Sequence, residues 1–474
     1  MSAFGGLFIG TSAIHASQRG LDVTGQNIAN SATPGYTRQR VDLESIGGPG
    51  VPAFWSRYDG TGEGVKVTGV TRMNDEFLEA RARNSNASLG NLQEQEKTMA
   101  AIERTVDEPS DTGLQKKLSQ LWNSFGAAGN SPSVANQAPR AAALENAIGT
   151  AAQLNHMSNS LTTQWNDTAT ELGANVNDVN KMAEDIAKLN VAIRNNNIAK
   201  VPSNELLDQR DVLIAKVTEL TGATVRPAEM DRGAAFNSQA VDVMIGGKAL
   251  VSGTQATSLQ LTPADPAYPA GTVAVKWADG SAADITTGRI AGQTTSLNDT
   301  IPKYLKEFDD IAASLAKTVN EQQAKGFTVE GEVGADLFVA EGGGPVTAAN
   351  IRVKADAKPN DLAVSSGNPT GPNPSLDGNN ALAMSRHIAD KDGPDSTYNQ
   401  MVVRLGVQAQ SVNRNVTVQE NVVRQAEDAR DNVSGVSLNE EMTNMIRYQH
   451  SFAAAAKFIG VIDQTLDTLI HMTR

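Results

Sequence analysis

The side chains that most often carry chemistry are thinly spread here. The five histidines are His15, His156, His387, His450 and His471. An imidazole becomes a metal ligand or a proton shuttle when a second suitable group stands at helical or loop spacing. The five are scattered, none sits in a close metal-binding pair, and no H-E-x-x-H occurs. The stretch Gly60-Thr61-Gly62-Glu63-Gly64 is Gly-rich but lacks the Lys-Ser/Thr of a phosphate loop and the third-glycine spacing of a dinucleotide fingerprint, so it suits a turn. No G-x-S-x-G elbow is present. The acidic residues form no pair that the sequence alone marks as general acid and base. Cysteine is absent, which excludes disulfides, thiolate metal sites and thiol nucleophiles. The expectation is no catalytic residue, no cofactor and no metal.

One charged residue does stand out. A helix is expected from Pro202 to about Leu220, and the positions three and four away from Arg210 are Leu206, Leu207, Leu213 and Ile214. Arg210 thus lies inside an apolar stripe with no acid at those spacings on its own helix. A guanidinium there snorkels or takes a partner from another segment. The favoured expectation is a largely buried Arg210 with a carboxylate or backbone carbonyl partner, a structural ion pair between elements; the alternative is a ligand-binding arginine.

The elements that would position such groups are mostly helical. At the start, positions 4, 7, 11, 14, 18, 21, 25 and 28 step by three and four, carrying Phe4, Leu7, Ile14, Leu21 and Ile28 with Thr11, Gln18 and Gly25 between them. The pattern stops at Pro34-Gly35, which suits a turn. The end mirrors it with Leu438, Met442, Met445, Phe452, Ile459, Leu466 and Ile470, interrupted by Gln449 and Asp463, after a capping-box sequence Ser437-Leu438-Asn439-Glu440. Two such terminal repeats suggest that the ends meet. One alternative is a pair of amphipathic helices on one globule. The other is a coiled coil that assembles between chains, since polar seam positions weaken a lone pair but fix register among neighbours.

Further helices are expected over about 74–106, 134–195, 296–325 and 396–431, and short alternating runs between Gly, Pro and Asp over 223–290 and 327–380 read as strands. The 474 residues give a prior of about three domains. The fold class expected is mainly α with an inserted β domain: elongated, with terminal coiled-coil helices, a long-helix bundle and a small β domain. The expected division is 1–35 plus 435–474 for the terminal coiled coil; 36–222 plus 291–326 plus 381–434 for the bundle; and 223–290 plus 327–380 for a β-rich outer domain. With 40 Lys plus Arg against 53 Asp plus Glu the net charge is −13, and without a basic cluster nucleic acid is not an expected partner. No run of about 18 apolar residues exists, so membrane insertion is not expected. The first positive charge is Arg19, so a cleaved Sec signal is not expected either, though other export routes stay open.

The run from Leu21 to Arg38, with Asn27, Asn30, Pro34, Gly35 and Tyr36, resembles the N-terminal signature of flagellar rod, hook and hook-associated proteins. Gly62-Glu63-Gly64-Val65 with Val70, Arg72, Asp75, Phe77 and Leu78 is similar to the hook-associated protein 1 family. So are Leu206-Leu207-Asp208-Gln209-Arg210-Asp211 and, near the end, Ser434-Gly435-Val436-Ser437-Leu438-Asn439-Glu440-Glu441 with Tyr448-Gln449. The resemblance implies a non-enzymatic structural subunit of the bacterial flagellum, joining hook to filament through its terminal helices. It implies several partners: further copies of the chain, the hook protein, the second hook–filament junction protein and a cytoplasmic export chaperone. It also implies an extracellular site on the flagellum, reached unfolded through the flagellar type III channel. The lack of cysteine cross-links suits a chain that threads a channel. For the asparagines of the signature, local capping and intersubunit contact stay open. The alternatives are a hook or distal rod protein and, from another class, a secreted enzyme on an axial-protein scaffold.

Overall fold

The computed structural model describes residues 3–47, 62–228 and 239–472; the side chains of Ala3 and Phe4, and Gly60 and Thr61 of the Gly-rich stretch, lie outside the described residues. Its helices in chain order are α1 (Ala3–Ala29), α2 (Glu76–Val106), α3 (Leu114–Asn130), α4 (Ala138–Ile198), α5 (Asn204–Thr221), α6 (Arg289–Thr295), α7 (Ile301–Gln323), α8 (Asn379–Arg386), α9 (Pro394–Ser434) and α10 (Leu438–Met472). The strands are β1 (Gln39–Ile46), β2 (Gly64–Arg72), β3 (Thr224–Pro227), β4 (Val241–Ile245), β5 (Lys248–Ser252), β6 (Gln255–Ala256), β7 (Leu259–Thr262), β8 (Ala274–Trp277), β9 (Phe338–Ala340) and β10 (Ile351–Val353). The fold is mainly helical with short β segments, as the patterning indicates. No described helix is long and apolar enough to cross a membrane.

The chain divides into two compact units: residues 1–88 with 179–258 and 420–474, and residues 89–178 with 259–419. The expected three-part division cuts the chain elsewhere. The strands in 223–290 and 327–380 form separate sheets: a four-stranded β3-β4-β5-β6 meander, the β7–β8 pair and the β9–β10 pair. Two elements carry little signal of their own in the sequence. One is the hairpin of β1 and β2, paired antiparallel from Gln39 with Arg72 to Ile46 with Gly64. The other is α3, whose N-cap is Gly113 with no side-chain cap bond, so it lacks the usual polar start signal.

In the first unit, α1 and α10 run antiparallel. Gly6 and Gly10 face Ile462 and Ile459, and Gly20 faces Tyr448. The hairpin covers another side of α1, where Ala16 and Val23 are buried. The β3–β6 sheet buries Val243, Ile245, Leu250 and Val251.

The second unit holds the larger side chains. Leu114, Leu118, Leu121, Trp122 and Phe125 of α3 are buried, as are Leu154, Leu161 and Trp165 of α4 and Phe308, Ile311, Leu315 and Val319 of α7. The α6–α7 run contains a π-helical turn at Ser296–Thr300. Pro302 in its wake has no N–H for the ladder, so the register slips by one residue there. Trp165 Nε1 donates to the Leu297 carbonyl of this turn at 2.8 Å.

Candidate assembly site: the clasp of the chain ends

The two ends meet along two heptad stripes. On α1 the stripe is Gly6, Gly10, Ala13, Ser17, Gly20, Thr24 and Asn27; all are buried except Ala13, which is half-buried. On α10 it is Glu441, Met445, Tyr448, Phe452, Ala455, Ile459, Ile462 and Leu466. Both alternate by four and three. One helix offers small residues and the other large ones, so the backbones approach closely. A Cβ on Gly20 would lie 2.5 Å from the Tyr448 ring, and one on Gly10 would lie 2.5 Å from Ile459.

Of the seam residues expected from sequence, Met445, Phe452, Ile459 and Leu466 stand half-buried on this contact stripe. Leu438, Met442 and Ile470 stand off it, at 50%, 53% and 60% exposure. On α1, Leu7, Ile14, Leu21 and Ile28 are half-buried one position beyond the small-residue stripe, and the Phe4 side chain lies outside the described residues. Apolar type alone does not choose between adjacent helix positions. The spacing of small residues on α1 was the signal that could have done so.

A buried polar cluster closes one end of the clasp. Asn27, 1% exposed, uses every hydrogen-bonding position of its amide. Nδ2 donates to Gln39 O at 2.9 Å and to Glu441 Oε2 at 3.1 Å. Oδ1 accepts from the Gln39 N–H at 3.0 Å and from the Tyr36 hydroxyl at 2.8 Å. Glu441 Oε1 also takes Arg38 Nε at 2.8 Å, while Arg38 Nη1 reaches Glu440 at 2.6 Å. These two acids sit in the first turn of α10, where a helix favours negative charge. Burial, with Asp208 and Glu441 adding to it, pushes the Tyr36 phenol up to about 12, so it stays a donor. Asn30 instead bonds locally: its amide donates to Gln26 O at 3.0 Å. Pro34 is exposed. Gly35 has φ +78° and a Cβ there would meet Val212 at 2.1 Å, so only glycine fits. Glu441 belongs to the C-terminal motif, but its position alone does not mark it for this role, because an acid in a first helical turn is ordinary.

The Asp208-Gln209-Arg210-Asp211 motif on α5 ties three segments together. Arg72 Nη2 of β2 lies 2.7 Å from Asp208 and 2.8 Å from Asp211, and it donates to Thr37 Oγ1 at 2.9 Å. Burial raises the Asp208 carboxyl, opposed by Arg72 and Thr37. Arg210, 6% exposed, donates through Nη1 to Gln239 O at 2.6 Å and Asn190 Oδ1 at 3.2 Å. Its nearest carboxylate is Asp211, 3.8 Å from Nε. Asn190, fully buried on α4, also donates to Val241 O at 2.9 Å and Gly253 O at 2.6 Å. This asparagine, lost among the many on α4, could not be picked out by spacing.

Of the histidines, His15, His156, His450 and His471 are exposed, and His387 Nδ1 lies 2.6 Å from Asp390. Among the described residues no group of three or more His, Asp or Glu side chains stands close enough to hold a metal ion. Gly62 to Gly64 close the β1–β2 hairpin, with Glu63 N–H donating to Ile46 O at 2.7 Å.

A chain whose first and last helices clasp through a buried Asn–Glu pair under a hairpin belongs to a recognisable class. Residues 7–37 match the model of flagella basal body rod proteins, and residues 430–472 match that of the flagellar basal body rod FlgEFG protein C-terminus; these are the ends of flagellar axial proteins. Residues 99–338, just over half of the chain, match the flagellar hook-associated protein FlgK helical domain. The chain belongs to the flagellar hook-associated protein FlgK family and is a structural protein of the flagellum.

Individual relatives agree. Flagellar hook-associated protein 1 of Bacillus subtilis (strain 168) is 29% identical over 522 aligned positions, covering 99% of this chain and 98% of the relative. That of Escherichia coli (strain K12) is 26% identical, over 73% of this chain and 61% of the relative. The solved flagellar hook junction protein FlgK from Burkholderia pseudomallei has the same fold, with a TM-score of 0.61 at 15% identity, over 75% of this chain and all of that one.

Proposed function

We propose that this chain is the subunit that joins hook to filament. The observation that carries the reading is the FlgK helical-domain match placed between two rod-type ends. The names of the relatives, hook-associated protein 1 and hook junction protein, support the same position. On this reading the chain has no enzymatic role and works by assembly through its terminal helices. The exposed Leu438 and Met442 lie off the intrachain stripe, which leaves them available to further copies. The partners are other copies of the chain, the hook protein, the second junction protein and, before export, a cytoplasmic chaperone. The chain reaches the outside unfolded, through the flagellar type III channel, and has its place at the hook–filament junction.

Deleting the gene and examining the cells and medium tests the reading. Hooks without filaments, with flagellin released as monomer, are the expected result. Intact filaments on the deleted cells overturn it.

A further inference from the structure

In the first unit, beside the 208–211 motif, lies a cleft of about 800 Å³ that the clasp does not use. Five cations line it: Arg72, Arg83, Lys200, Arg210 and Arg226. Two are matched, Arg72 by Asp208 and Asp211, and Arg226 by Asp242 at 3.3 Å. Arg210 is matched only loosely. Its two hydrogen-bond acceptors are neutral and both sit on Nη1; Nε has no hydrogen-bond partner, and the carboxylate it pairs with, Asp211, stands 3.8 Å away and is shared with Arg72 at 2.8 Å. A guanidinium buried this deeply, with one distant and shared carboxylate, is incompletely compensated for the water it has lost. Arg140, a buried arginine with neutral partners whose Nε also lacks a hydrogen bond, differs in that both its Nη atoms are used, on Ser133 O and Asn360 Oδ1. Arg83, half-buried one turn beyond Glu79 on α2, makes no close ion pair among the described residues.

We propose that this cleft binds a carboxylate, gripped by the free edge of Arg210 and reached by Arg83 and Lys200. A planar guanidinium matches two carboxylate oxygens in a fork. Glu76 and Glu79 share the lining, so an anion with two or more charges on one centre meets repulsion there, and a single carboxylate does not. The carboxylate comes from one of two sources, an acidic side chain of a polypeptide or a free small acid.

The test titrates the full-length chain, with its arginines labelled with 15N, and follows the arginine Nε–H signals at low salt. One arm adds acetate; the other adds the blocked peptide acetyl-Ala-Glu-Glu-Ala-amide. Saturable shifts of the Arg210 signal are expected, weakened about ten-fold by Arg83→Gln and by Lys200→Gln, side chains with no fold-holding contact among the described residues. Saturation by both ligands assigns a free acid, and saturation by the peptide alone assigns a polypeptide. No saturable shift with either ligand, or equal affinity in the Arg83→Gln chain, overturns the proposal.

Discussion

Replacing Glu441 asks whether one buried carboxylate holds the chain ends together. Its side chain is 2% exposed, with Arg38 on one oxygen at 2.8 Å and Asn27 on the other at 3.1 Å. Glu441→Ala strips the Asn27 amide of an acceptor in a water-free place, at about 1–2 kcal/mol. Arg38 keeps Glu440, but that side chain is 61% exposed, so the loss on this side is about 1 kcal/mol. The vacated methylene space adds about 1 kcal/mol. The total is about 3–4 kcal/mol. Glu441→Gln keeps the methylenes and one acceptor oxygen and is expected to cost about 1–2 kcal/mol. Native-state amide exchange reads this out locally. Protection in α1 and α10 should fall by two to three powers of ten for the alanine variant and about ten-fold for the glutamine variant, at about 1.4 kcal/mol per decade. Unchanged protection there, or a loss of equal size in α7, refutes the clasp.

Two further outcomes follow from the same geometry. Gly20→Ala places a methyl 2.5 Å from the Tyr448 ring and should lower the unfolding free energy read from urea titration by about 1–2 kcal/mol, whereas Gly25→Ala, with nothing within 4 Å of its Cβ, should raise helix stability by up to about 1 kcal/mol; the same sign for both denies the close approach. Burial pushes Asp395, which accepts Trp122 Nε1 at 2.6 Å, from 3.8 up to about 6. A raised carboxyl stabilises the fold below its unfolded value and loses that contribution as pH rises through about 6, so the unfolding free energy read from urea titration should fall between pH 4 and pH 7, by about 2–3 kcal/mol, and Asp395→Asn should flatten the profile.

The sequence made the terminal helices legible, because three-and-four spacing of large apolar groups survives any choice of partner. It did not make legible which side of α10 meets α1. Met445 and Phe452 lie on the contact and Met442 does not, though all are apolar. The choice is made by the glycines of α1, which admit Tyr448 and Ile462. Arg210 was legible because a charge inside an apolar stripe is costly and demands an answer. The answer was not, because Asn190 and the Gln239 carbonyl are remote in sequence and their types are common. The β1–β2 hairpin was hidden by its composition: Gln39, Arg40, Asp42 and Glu44 carry little strand preference, and the ladder rather than the side chains holds β1.

The glycine stripe of α1 also sets an order in time. Gly6, Gly10 and Gly20 each weaken α1 as an isolated helix by about 1 kcal/mol relative to alanine. The helix that covers them begins at Leu438. Hundreds of residues separate α1 from α10, so α1 is made well before α10 and waits for it before it gains a packed face. A chain cut short before Leu438 leaves that groove open and the Asn27 amide short of an acceptor. The clasp therefore closes only on a chain that carries α10 and, on the proposed export route, only after α10 has left the cell.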